Sequence, residues 1–212
     1  MLMSETMLRT MRLLLASDKE RSVRELARDA DVTLSRCARE VEQLRMAGYI
    51  SRRPLVKVER RWDLLSAFSH GWSVRAVPSE PYEAVERPEY LMNAISSCAE
   101  KSKLPYGFTM LAGAELLSPQ VVPAYVHLYI EAADAPKWRR ALGTVGIHPA
   151  EPGAPRKVNV LLWDRSVFTG AMVVRGSCVV APVQVFADLH GMGGIFRDAA
   201  MTMAKRMNWV AR

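Results

Sequence analysis

Apolar residues at Met7, Leu8, Met11, Leu14 and Leu15 recur at the three- and four-residue spacing that buries one face of a helix. A polar break over 18–21 follows. Ser22-Val23-Arg24-Glu25 then fits a capping box, in which the serine takes an amide of the first turn and the glutamate reaches back to the cap. The pattern predicts a short second helix burying Val23, Leu26 and Ala27, with Ala30 at its end. Asp31-Val32-Thr33 reads as a turn, with Thr33 as N-cap of a third helix reaching about residue 47. Leu34, Cys37 with Ala38, Val41 and Leu44 form its expected buried stripe, and Gly48 supplies the left-handed residue just past its end. Residues 49–53 read as a strand leaving that helix directly and 55–61 as its hairpin return, with Pro54 at the turn or an edge. A further helix is expected from 62 to about Gly71.

The rest of the chain alternates between the two periods. Pro78, Pro81 and Pro88, interleaved with Ser79, Glu80, Glu83 and Glu86, read as an irregular connection, so the boundary is placed at about 76. Helices are expected at 89–103, 111–117, 136–145, 182–189 and 195–207, and strands at 124–130, 158–163, 171–174 and 177–180. Ile195, Ala199, Met203 and Met207 form the expected inner face of the last helix, and Gly191, Gly193 and Gly194 stop the one before it. The expected fold is α+β: a winged helix-turn-helix over 1–75, then a mixed α/β domain over 76–212 around a small central sheet.

Charge gives the first part a partner. The chain of 212 residues has a net charge of +7, of which residues 1–75 carry +5 and the remainder +2. On the third helix, Thr33, Ser35, Arg36, Arg39 and Gln43 form a polar face of donors suited to phosphates and base edges. A merely solvated face, with Arg36 and Arg39 paired to Glu40 or Glu42, is the alternative reading of the same residues. The hairpin adds Arg52, Arg53, Lys57, Arg60 and Arg61 against only Glu59. Together these residues predict binding to double-stranded DNA, with the helix in the major groove and the hairpin along the backbone or minor groove.

Other chemistries find little support. Cys37, Cys98 and Cys178 are odd in number, far apart and outside any Cys-x-x-Cys spacing, which argues against a disulfide framework or a zinc site. His70, His127, His148 and His190 read as isolated, Gly176-Ser177 is not followed by Asp-x-Asp, and Gly191-Met192-Gly193-Gly194 has no strand leading into it. Gln184 and Asp188, one helical turn apart, are expected to hold the glycine-rich turn rather than to carry chemistry. No catalytic residue, cofactor or metal is therefore expected. With no signal peptide and no apolar run long enough for a bilayer, the expected location is the cytoplasm, without a membrane partner.

The cadence Ser22-Val23-Arg24-Glu25-Leu26-Ala27, Val32-Thr33-Leu34-Ser35, Leu44 and Ala47-Gly48-Tyr49-Ile50 resembles the winged-helix domains of bacterial and archaeal regulators. Downstream, three blocks are similar to the AbiEi-type antitoxin family of type IV toxin–antitoxin systems. They are Tyr106-Gly107-Phe108-Thr109 with Ala112, Leu116 and Leu117; Val160-Leu161-Leu162 with Asp164 and Val167-Phe168; and the run from Val179 to Leu189 with Gly191, followed by Asp198-Ala199-Ala200. The resemblance implies an autorepressor that binds its own promoter and restrains a nucleotidyltransferase-like toxin encoded beside it. An antitoxin that uses its winged helix only for protein contacts is the competing reading. Binding as a homodimer on an inverted repeat and binding as side-by-side monomers both remain open.

Overall fold

A computed structural model describes residues 3–52, 54–119 and 122–210. Three helices come first: α1 (Glu5–Ala16), α2 (Val23–Asp29) and α3 (Leu34–Met46). Helix α1 buries Leu8, Met11, Leu13, Leu14 and Leu15 against Leu26, Cys37, Val41 and Leu44. Helix α4 (Arg61–Gly71) follows and packs Leu64, Leu65 and Phe68 into the same apolar cluster.

The second part is built on β1 (Ser79–Glu83), β2 (Tyr106–Thr109), β3 (Val126–Glu131), β4 (His148–Pro149), β5 (Arg156–Trp163), β6 (Met172–Val174) and β7 (Ser177–Val179). They form one mixed sheet in the order β4-β1-β5-β3-β2-β7-β6, parallel at β5/β3 and β2/β7 and antiparallel elsewhere. The α+β class is as expected, but the sheet of seven strands is larger than the small one the sequence suggested. Three strands are added: β1 and β4 lie in segments whose prolines and acids masked them, and β2 is a four-residue stretch directly before α6. Pro81 is tolerated because its backbone polar groups face away from β5, on the side where β4 pairs only Tyr82 and Glu83 and where the Pro81 carbonyl accepts the Ala150 amide.

Helices cover both sheet faces. Those of the second part are α5 (Pro88–Ser102), α6 (Met110–Leu117), α7 (Ala135–Gly143), α8 (Pro182–Met192) and α9 (Gly194–Arg206). Tyr106 points to the α5/α7 face, donating to Ser96 at 2.8 Å and meeting the Trp138 ring at 5.9 Å. Thr109 and Tyr129 point to the opposite face and donate to Asp188 of α8. Gly107 lies on that face with Val180 so close that a Cβ would fall 2.7 Å from its side chain. Helix α8 therefore sits directly on the sheet. It is buried along nearly its whole length, from Val183 to Leu189, as expected of a helix with covering elements on every side.

The apolar cluster is continuous from Leu8 to Ala204. Three expected core positions lie at the surface. Ile195 is exposed, and Ala200, Met203 and Ala204 form the buried stripe of α9 instead. Leu34, in the first turn of α3, and Ala38 are also exposed, and Cys37, Glu40, Val41 and Leu44 are the buried residues of that helix.

Candidate nucleic-acid interface

The helix pair that would present a recognition face is set by local chemistry. Ser22 caps α2 through a complete capping box: it receives the Glu25 amide at 3.2 Å, and its own amide donates to Glu25 at 2.8 Å. Asp31 then adopts a left-handed φ of 54° and the Val32 amide returns to Ala27, which makes the sharp turn between the helices. Thr33 caps α3 by accepting the Arg36 amide. Gly48, at φ 72°, ends α3 as expected.

The exposed side of α3 carries Ser35, Arg39 and Gln43, one turn apart along a single row, with Thr33 at its head. Arg39 makes no ion pair among the described residues. Arg36 is held differently. Its Nε donates to Glu40 at 2.9 Å and to Thr6 at 3.2 Å. Glu40 is itself buried between α1 and α3, where Thr6 and Thr10 also donate to it. Arg36 thus neutralises a buried carboxylate; of the two partners that the solvated-face alternative offered, Glu40 or Glu42, it meets Glu40.

Among the described residues after α3 there is no regular strand before α4, so the expected hairpin over 49–61 is corrected. What remains is a pair of isolated antiparallel bridges, Ile50 to Val58 and Arg21 to Val56. The reason is local. The Ser51 hydroxyl donates to Leu55 O at 2.8 Å and accepts the Lys57 amide at 3.1 Å, occupying groups a ladder would use. Pro54 has no amide to give, and Arg60 and Arg61 already belong to the cap and first turn of α4.

The basic residues of this segment are unequal. Arg52 is exposed with no ion pair among the described residues, whereas Arg53 lies outside them. Lys57 faces Glu20 at 3.8 Å and Arg60 pairs with Asp63 at 2.5 Å, both while largely exposed. Arg61 is turned inward, donating to Leu15 O and Asp18, and fastens α4 to the end of α1. The structure thus brings Thr33, Ser35, Arg39 and Gln43 onto one row, while Arg36 and Arg61 hold helices together.

Sequence reasoning missed a buried polar cluster behind this face. Arg12 on α1 is almost wholly inaccessible. Its Nε donates to Gln184 at 2.9 Å, and its guanidinium lies 5.5 Å from the Trp72 ring and 5.7 Å from that of Phe68. Gln184 in turn donates to Asp188 at 2.8 Å, and Trp72, Thr109 and Tyr129 complete that carboxylate's donors. Gln184 and Asp188 therefore reach across to α1 and the sheet and do not hold the glycine-rich turn. Burial, against these four donors, raises the Asp188 carboxyl to about 6, and burial lowers Arg12 to about 10. The available signal was an arginine flanked by Met11 and Leu13 inside the apolar stripe of the first helix.

The histidines are not all isolated either: the His70 and His190 rings lie 5.5 Å apart, with Phe186 stacked on His190. Among the described residues no group of three or more His, Cys, Asp or Glu is placed to hold a metal ion, and no helix is long and apolar enough to cross a membrane. No protein-family model, curated protein or solved structure matches the chain.

Proposed function

We propose that the chain is a DNA-binding regulator of transcription and not an enzyme, and that α3 enters the major groove of a duplex. The observation that carries this reading is the exposed row Ser35, Arg39 and Gln43 on the second helix of a tightly capped pair, with Arg39 in no ion pair among the described residues. Such a row supplies hydroxyl, guanidinium and amide donors at the spacing of successive helical turns. The bridges add support for a reduced winged helix-turn-helix. Arg21, between α1 and α2, pairs with Val56, and Ile50 pairs with Val58, so three chain segments meet side by side beside the helices. Arg52, Lys57 and Arg60 are exposed there and take the backbone role. The autorepressor and antitoxin role, with a nucleotidyltransferase-like toxin as partner, rests on the three sequence blocks between 106 and 200.

Fluorescence anisotropy on labelled duplexes from the chain's own upstream region, over a range of salt, tests the reading. The parent should bind one duplex selectively. Arg39→Ala with Gln43→Ala should cost about tenfold or more on that duplex and little on unrelated DNA. Arg52→Ala with Lys57→Ala should weaken all duplexes and lower the salt slope by about 1 to 2. A parent that ignores DNA, or variants indistinguishable from it, would overturn the reading.

A second reading is favoured by one observation: Arg36, Lys57, Arg60 and Arg61 each already have a carboxylate partner. On it, the helices serve a protein contact with the neighbouring gene's product. Co-purification with that product, in a preparation that fails to bind DNA, is its signature.

A further inference from the structure

The sheet face under α8 is not covered evenly. Across β1, β5 and β3, Pro81, Asn159 and His127 stand in register as neighbours in one row. Here the covering layer thins to the start of α9, and a cleft of about 590 Å³ opens, bounded by Tyr125 and Phe196. That size is typical of a small-molecule site.

The lining is chemically one-sided. Arg156 and Lys157 both border the cleft, and among the described residues neither is in an ion pair and no carboxylate lines the cleft. The His127 ring makes no hydrogen bond there, and its Nδ1 is buried without a partner. Burial lowers this imidazole to about 4, so it is neutral at ordinary pH. A neutral ring has one donor and one acceptor nitrogen. Leaving a bare acceptor unpaired is less costly than leaving an N–H so, which puts the proton on Nε2, the nitrogen not closed off. Asn159 adds a side-chain amide with no partner among the described residues. Two unpaired cations, two unpaired neutral polar groups and two aromatic walls share one opening.

We propose that this cleft binds a small organic anion carrying a flat ring, of mononucleotide size. Arg156 and Lys157 hold the anionic group, Tyr125 and Phe196 flank the ring, and His127 and Asn159 bond its polar edge. Two free cations favour a phosphate over a singly charged group, because each can serve a different oxygen. Aromatic walls add stacking that inorganic phosphate cannot use. The inference stands apart from the DNA reading, since no cleft residue belongs to α3 or to the segment after it.

Calorimetric titration of the full chain with AMP, UMP and inorganic phosphate tests it. At least one nucleotide should bind with a dissociation constant of about 1 mM or tighter, and inorganic phosphate at least about tenfold more weakly. Arg156→Ala with Lys157→Ala, both at solvent-reached positions, should keep the native circular dichroism and lose about tenfold in nucleotide affinity. His127→Phe should fold and weaken the nucleotide by a smaller factor, about threefold. The absence of nucleotide binding up to about 5 mM would overturn the proposal. So would phosphate binding as tightly as the nucleotide, or affinities unchanged in the folded variants.

Discussion

At the scale of the residue, the chain's most informative side chains are polar groups held out of water. His127 allows a signed prediction. Its imidazole titrates near 4 in the folded chain because burial disfavours the charged form, and near 6.5 when unfolded. Stability from keeping it neutral is therefore fully present above about 6.5 and lost as pH falls toward 4. Replacing it by phenylalanine removes that loss. Relative to the parent, His127→Phe should gain on acidification from about pH 7 to pH 4, by about 3 kcal/mol at most. Urea denaturation of both proteins at the two pH values checks this, and a constant difference would refute it. Composition marked this histidine only as isolated; what sets its chemistry is the register of three strands that are distant in sequence. Arg12 and Glu40 were hidden for a related reason. A charge inside an apolar stripe reads as an interruption until the element that answers it is known, and Gln184 lies 172 positions away.

At the scale of the element, local rules were the legible ones. The capping box at Ser22, the cap at Thr33 and the glycine after α3 all follow from nearest-neighbour hydrogen bonding and backbone freedom, and each stands where the pattern put it. Elements stabilised from elsewhere were not legible. Strand β1 contains Pro81 and two glutamates and exists because β5 and β4 pair with it from both sides. The expected hairpin failed in the opposite sense, its strand-like composition overridden by the Ser51 side chain competing for the ladder's groups. The inner face of α9 was displaced from Ile195 to Ala200 because the approach of α6 and α8, and not hydrophobicity alone, selects the face that is covered. The cap itself carries a prediction. Ser22→Ala removes the side-chain half of the capping box, the acceptor of the Glu25 amide, and should lower stability by about 1 kcal/mol. Urea denaturation measures it. In the same variant Glu25, whose carboxyl is held below its ordinary range chiefly by the Ser22 amide, keeps that backbone donor, so its titration should shift only partly. A full return to the ordinary range would show that the backbone half had been lost as well.

At the scale of the whole molecule, the question is whether the N-terminal helices are attached rigidly or hinged. Arg12 answers it. It leaves α1, passes between the Phe68 and Trp72 rings and ends on Gln184, one step from Asp188, which is tied to Trp72 and to two sheet strands. A hinge would have to separate a buried cation from the carboxylate that offsets it, and a stranded buried charge costs several kcal/mol. The N-terminal helices and the sheet should therefore unfold together, with circular dichroism and tryptophan fluorescence reporting one coincident urea transition. The strut's electrostatics sharpen the test. Asp188 titrates near 6 with Arg12 in place, its carboxyl raised by burial, while Arg12 pulls the other way. In Arg12→Met the apolar stem is retained and the opposing charge removed, so the folded carboxyl titrates higher still. A folded pKa raised above the unfolded one gives stability that is present at low pH and lost as pH rises through the folded value. In the variant that loss extends further up the scale than in the parent. Its deficit should thus be small near pH 5 and grow to about 3 kcal/mol by pH 8. A deficit independent of pH would mean that Arg12 stabilises by packing alone. Two separated transitions in the parent would mean that the helices and the sheet are joined by the chain and not by this cluster.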